Sequence, residues 1–278
     1  MDGFRDKIAV VTGGASGIGR ALCVELARRG AQVVVADLNA TGASGVAEGI
    51  VGSGGRAEVQ PVDVTSADAV EALVAGVVAA HGRIDYLFNN AGIAVGGEER
   101  DVTLIDWQRV FAVNLWGVVH GVRAAYPRMV QRGVGHIVNT ASVAGLTPAP
   151  LQTSYVASKH AVVGLSCALR IEAAALGVRV SVVCPGLIDT PILRTAEVRG
   201  MDREDLLRLV AAVKAMTPAA CAHVILRGVE KNKPIIVVTW LGYVIWWLTR
   251  LSPRAALWFW RTAFLARMRR ALTVSARR

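Results

Sequence analysis

Tyr155-Val156-Ala157-Ser158-Lys159 sets a phenol and an ammonium one helical turn apart, on one face of the helix that apolar spacing predicts over Tyr155–Leu176. A phenol titrates near ~10 when unperturbed, and a neighbouring cation favours the phenolate, so the pair could act as an acid/base near neutral pH. A second chemical motif lies near the start of the chain. Thr12-Gly13-Gly14-Ala15-Ser16-Gly17-Ile18-Gly19 follows a short apolar run and opens a helical one. Glycines there permit a tight turn and close backbone approach to a pyrophosphate, with the amino end of the next helix facing the phosphates. The spacing is G-x3-G-x-G, not the GxGxxG of the general dinucleotide fingerprint. Asp37, 20 residues beyond Gly17, ends the second apolar run, where a carboxylate can accept from the adenosine ribose hydroxyls and would repel a 2′-phosphate. These residues indicate NAD rather than NADP.

The elements that must position them follow from periodicity. Short β-branched runs at Lys7–Thr12, Gln32–Ala36, Ala57–Gln60, Ile84–Phe88, His136–Thr140, Arg179–Cys184 and Pro234–Thr239 predict seven strands. Helical spacing fills the intervals, over Ile18–Arg29, Ala40–Val51, Ala67–Ala80, Leu104–Arg132, Tyr155–Leu176 and Asp205–Lys231. Strand–helix alternation with nearly continuous apolar strands predicts a Rossmann-type, doubly wound α/β fold, a seven-stranded parallel sheet with helices on both faces. Residues 1–239 suffice for that domain, and 240–278 read as a Trp/Arg-rich helical extension.

The glycine turn, Asn89-Asn90-Ala91-Gly92 after the fourth strand, Asn114, Ser142 after the fifth, Tyr155/Lys159 and Pro185-Gly186 after the sixth occur jointly and in order, with Tyr155 13 positions after Ser142. In this the chain, over roughly residues 5–240, resembles the short-chain dehydrogenase/reductase family. The resemblance implies that Tyr155 is the general acid/base and that Ser142 hydrogen-bonds the substrate oxygen. It also implies that Lys159 holds the ribose and lowers the tyrosine's pKa, and that Asn114 supports a water-linked proton relay. Thr12, Gly13, Ser16, Gly17, Ile18, Gly19, Asp37, Asn90, Ala91, Gly92, Pro185, Gly186, Ile188 and Thr190 would hold the cofactor, Asp63 and Val64 its adenine, and Thr190 its carboxamide. A homodimer or homotetramer is implied too, through the helices over Leu104–Arg132 and Tyr155–Leu176, with Trp116 or His120 available for contact.

Substrate choice in such proteins resides after Thr190, here Pro191–Thr217, which reads as a lid with a helix. The pocket candidates Ala94, Val143, Ala144, Leu151, Leu187, Ile188 and Ile192 are apolar, which favours a hydrophobic secondary alcohol such as a steroid, terpenoid or lipid-like compound, and its ketone. An NADP-linked 3-oxoacyl thioester reductase and a non-catalytic cofactor-binding module anchored by its tail are the alternatives. Five histidines without metal-ligand spacing and four cysteines without CxxC pairs leave no case for a metal site. With no signal peptide before Lys7–Val11, a reducing, cytoplasmic setting is expected.

The net charge of +10 sits in the tail: 231–278 carry 10 basic residues and no acidic one, and 240–278 hold five of the seven tryptophans. The longest apolar run, Pro234–Leu248, is shorter than the ~20 residues of a spanning helix. Two helices, Trp240–Leu251 and Pro253–Leu272, are expected. Tryptophan suits the water–hydrocarbon boundary and arginine suits anionic headgroups, so a peripheral membrane contact and packing on the body or a second subunit both fit. Nucleic acid is excluded, since so hydrophobic a tract is not needed to meet phosphates.

Overall fold

In parallel sheets buried on both faces, near-continuous apolar strands are expected, and the central strands here are of that kind. The computed structural model describes residues 3–200, 202, 204 and 214–265. Its strands are β1 (Ile8–Thr12), β2 (Gln32–Asp37), β3 (Arg56–Pro61), β4 (Tyr86–Asn89), β5 (Val95–Gly97), β6 (Gly135–Thr140), β7 (Val178–Cys184), β8 (Glu197–Arg199) and β9 (Ile235–Val237). Seven form one parallel sheet in the order β3-β2-β1-β4-β6-β7-β9, and β1 and β6 are buried along their whole length. All seven expected strands are present. The two-stranded parallel sheet β5-β8 was not expected.

Successive side chains of the strands point to opposite faces and feed two cores. Val11, Val33 and Val35 meet Leu22, Leu26, Ile225 and Leu226 from α1 (Gly17–Arg28) and from the later helix Pro218–Glu230. Val10, Val34, Leu87 and Ile137 meet Val70 and Val74 of the helix Ala67–His81 and Ala125 and Met129 of the helix Gly117–Arg132. In chain order the remaining helices are α2 (Ala40–Gly52), α3 (Ala67–His81), α4 (Leu104–Phe111), α5 (Gly117–Arg132), α6 (Thr153–Ala174), the single turn α7 (Ile192–Thr195), α8 (Pro218–Glu230), α9 (Trp240–Leu251) and α10 (Pro253–Phe259). Ends are set locally: Ser66 and Thr217 cap α3 and α8 through their side chains, Gly82 stops α3 in the left-handed region, and Thr103 with Asp106 forms a capping box on α4.

One expected helix, Leu104–Arg132, is interrupted by a π-helical segment, Ala112–Trp116, centred on Asn114. The strand order reverses between β1 and β4, so the carboxyl ends of these neighbours diverge into a crevice, the usual ligand site of open α/β sheets. Residues 201, 203 and 205–213, where the lid helix is expected, lie outside the described residues, as do 266–278 at the end of the expected second tail helix.

Candidate active site

The turn between β1 and α1 is built from conformations that suit glycine. Gly13 and Gly17 have φ of +66° and +52°, and a Cβ on Gly13 would stand 2.9 Å from the Cα of Ala91. A Cβ on Gly19 would collide with the Gly13 carbonyl. Ser16 is the N-cap of α1 without a side-chain capping bond, and the first turn has no carboxylate, so its amides keep their capacity for an anion. Asp37, at the end of β2, accepts from the amides of Ala15 and Asn39, both at 2.9 Å, which fixes its carboxylate beside the turn. Glycines that leave room for a backbone approach, uncapped amides and a fixed carboxylate fit a dinucleotide.

Thr12 joins the two diverging strands. Its Oγ1 accepts from the amides of Asn90 and Ala91 at 3.0 and 3.2 Å, and Asn90 Nδ2 donates to the Thr12 carbonyl at 3.1 Å. Asn90-Ala91-Gly92 is thereby held against the glycine turn. Asp63 is exposed and takes the amide and hydroxyl of Thr65 on one oxygen, and the hydroxyl bond lowers its pKa. Val64 is buried, its carbonyl 2.9 Å from His120 Nδ1, so His120 is engaged within the chain. Thr190 covers Gly17, where a Cβ would lie 3.2 Å from it.

Ser142 leaves β6, while Tyr155 and Lys159 share one face of α6. Ser142 Oγ accepts from the Ala144 amide at 3.1 Å and faces the Pro185 carbonyl at 3.4 Å, close enough to Tyr155 to act on the acidity of its phenol. Lys159 Nζ donates to the Thr140 carbonyl at 2.9 Å and lies 5.6 Å from the centre of the Tyr155 ring. Gly92 faces both Lys159 and Asn114, since a Cβ there would be 3.4 Å from Nζ and 3.3 Å from Oδ1. Asn114 is fully buried: its Oδ1 accepts from the Ile93 amide at 2.9 Å, and its Nδ2 donates to the Ile93 carbonyl at 3.0 Å and to Ser158 Oγ at 3.1 Å. Such tertiary pairing accounts for a π-helical turn where the sequence predicts a regular helix.

The acidities differ from expectation. Burial pushes the Tyr155 phenol above its ordinary value, with the Ser142 hydrogen bond pulling it back, and burial pushes the Lys159 ammonium down to about 8. The expected depression by a neighbouring ammonium is not what governs the phenol, because Lys159 is drawn to Thr140 and the same desolvation penalises both charges.

Of the expected pocket residues, Ala94 precedes β5, Leu151 has φ of +66° and accepts from the Gly97 amide at 2.9 Å, and Ile192 opens α7. Val143 sits beside Ser142, while Ile188 is buried, belongs to a core cluster and bridges to Met216. The two ends of the segment expected to form a lid meet where Met216 N donates to Leu187 O at 3.0 Å and Asp189 N to Met216 O at 2.9 Å. Sequence reasoning missed Thr140, Ile93 and the clamp on β8, in which Arg199 donates to both oxygens of the buried Asp106 at 2.8 and 3.0 Å. Only Ser158 carried a signal, a hydroxyl inside the Tyr155–Lys159 motif.

The pattern of the family described as short chain dehydrogenase matches residues 7–199. "Probable oxidoreductase EphD" of Mycobacterium tuberculosis is 38% identical over 261 residues, covering 91% of this chain but 44% of that protein, so the chain spans under half of this relative's length. Cyclohexanol dehydrogenase of an Acinetobacter species is 38% identical over 70% of this chain and 78% of its own. A crystal structure of a short chain dehydrogenase/reductase from Burkholderia phymatum in complex with NAD superimposes with a TM-score of 0.82 at 31% identity, covering 89% of this chain and 94% of that one. With the family pattern across most of the chain and relatives of this identity aligned along more than two thirds of it, the chain belongs to the short-chain dehydrogenase/reductase family, oxidoreductases built on a Rossmann fold.

Proposed function

We propose that the chain interconverts a hydrophobic secondary alcohol and its ketone with NAD. The observation that carries this reading is the convergence of Tyr155, Lys159, Asn114 and Gly92 beside the glycine turn, with Ser142 leaving β6 next to them. Bound NAD supplies the acceptor for the hydride of the carbinol carbon. Tyr155 Oη takes the hydroxyl proton of the alcohol and returns it in the reverse direction, while Ser142 Oγ donates to the substrate oxygen. Lys159 and Thr12 orient the cofactor side, and Asn114, fixed on Ile93, supports water that carries the proton onward. Holding these groups in position and polarising the reacting oxygen is the protein's share of the chemistry.

Asp37 supports NAD over NADP, because its fixed carboxylate would repel a 2′-phosphate. A 3-oxoacyl thioester reductase linked to NADP would face that same repulsion. The apolar candidates Ala94, Val143, Leu151, Leu187 and Ile192, together with a relative named for cyclohexanol, support a lipophilic substrate of the steroid, terpenoid or lipid-like class. The reading includes self-association through α4 to α6, where Ile105, Trp116 and Ile171 are exposed, and peripheral membrane contact through 240–278. Absorbance of reduced nicotinamide, with NAD or NADP and a panel of apolar and sugar alcohols, tests it. Signal with NAD and an apolar alcohol is expected, and signal only with NADP or only with sugars would overturn it.

A further inference from the structure

Helix α9 is apolar on the side that faces away from the protein. At about 100° per residue, the exposed Tyr243, Trp247, Trp240, Leu251, Val244, Leu248 and Leu241 follow one another around a continuous arc of roughly 160°, bordered by the exposed Arg250. The opposite side, Gly242 with the half-buried Ile245, Trp246 and Thr249, is turned inward. Leu257, Trp258 and Phe259 of α10 extend the exposed apolar surface. A groove of about 260 Å³ next to α9 is lined by Arg227, Lys231, Lys233 and Tyr243 with no carboxylate, and none of its three cations joins an ion pair among the described residues. From Lys231 onward the chain has no acidic residue at all. Among the described residues no helix is long and apolar enough to cross a membrane.

We propose that α9 and α10 dock the chain on an anionic lipid surface, the aromatic face lying in the interface and the Arg227/Lys231/Lys233 groove taking the headgroups. This rests on reading the tail as a membrane-contacting segment and names its partner. Tryptophan and tyrosine favour the interfacial layer, and clustered cations are drawn to acidic headgroups. The foot of α9 touches the catalytic side. A side chain on Gly242 would collide with Val143, next to Ser142, and one on Gly186 with Thr239. The twelve-residue helix is about 18 Å long, so a docked bilayer lies within that distance of the segments around the site, and a lipophilic alcohol can be taken from it.

The test is flotation of the full chain with vesicles of phosphatidylcholine, with and without phosphatidylglycerol, alongside R227E/K231E/K233E and W247S. The wild type floats only with the anionic vesicles and is released by high salt, and each variant binds at least about tenfold more weakly. Thermal melting establishes that the variants, altered only at the surface, remain folded. NADH formation from a water-soluble alcohol, unchanged in both, reports separately on the oxidoreductase reading. Absence of wild-type flotation overturns the proposal, as does a dimer in light scattering that W247S dissolves while flotation stays unaltered, which would make the face a subunit contact.

Discussion

Lys159→Met is expected to lose most of its turnover with NAD yet to be no less stable at neutral pH. Lys159 is 3% exposed, its ammonium donates to the Thr140 carbonyl at 2.9 Å, and burial moves it from the ordinary 10.5 to about 8. Keeping the charge at pH 7 therefore costs about 3 kcal/mol. Methionine removes that cost along with the hydrogen bond, worth roughly 2 kcal/mol for a charged donor, so at pH 7 the variant is as stable as the wild type or slightly more so. The sign of the pH dependence is fixed. Because the folded value is below the unfolded one, the unfolded chain holds a proton between pH 8 and 10.5 that the folded chain has released, and wild-type stability rises through that window relative to the variant. The variant's advantage should thus reverse by pH 10, a swing of about 3 kcal/mol, while the raised titration of Tyr155 is common to both chains. Urea unfolding followed by circular dichroism at pH 7 and pH 10 measures it. A wild-type-to-variant difference that stays constant with pH, or moves the other way, refutes the reasoning. Turnover at pH 7 falls by at least about a hundredfold.

Gly19→Ala should weaken NAD binding by at least about tenfold, since the new methyl meets the Gly13 carbonyl and displaces the turn; calorimetric titration with an unchanged Kd would count against the cradle. Asp37→Ser should shift preference toward NADP by about tenfold or more in kcat/KM, read from initial rates with each cofactor, and preference left intact would mean that Asp37 does not face the ribose. Asp106→Asn breaks the bidentate bond that holds Arg199 of β8, so KM for a bulky alcohol should rise severalfold while kcat changes little; a fall in kcat alone would assign the clamp to the chemistry instead.

The sheet was legible because its strands are buried on both faces. Ile8–Val11, Val33–Ala36 and Val182–Cys184 are unbroken apolar runs whose neighbours switch to helical spacing, and that contrast needs no tertiary information. The strands β5 and β8 could not be read: Val95-Gly96-Gly97 has little intrinsic strand character and is held by pairing with Glu197-Val198-Arg199, a hundred residues on. The π-helical turn was hidden for a similar reason, as Asn114 is drawn out of the regular ladder by the Ile93 backbone 21 residues earlier. Spacing brought Tyr155 and Lys159 together correctly. Their acidities depend on burial and on Thr140, which no local pattern encodes. In the tail, the aromatic and basic composition is plain in the sequence, but the packing of Gly242 against Val143 requires the fold.

The most direct test of hydride transfer governed by Tyr155 uses a lipophilic secondary alcohol deuterated at its carbinol carbon, NAD, and mass analysis of the reduced nicotinamide. The wild type should yield NADH carrying one deuterium together with the ketone, and Tyr155→Phe should bind NAD with unchanged affinity and form neither product. Deuterium transfer that persists undiminished in Tyr155→Phe would contradict the account.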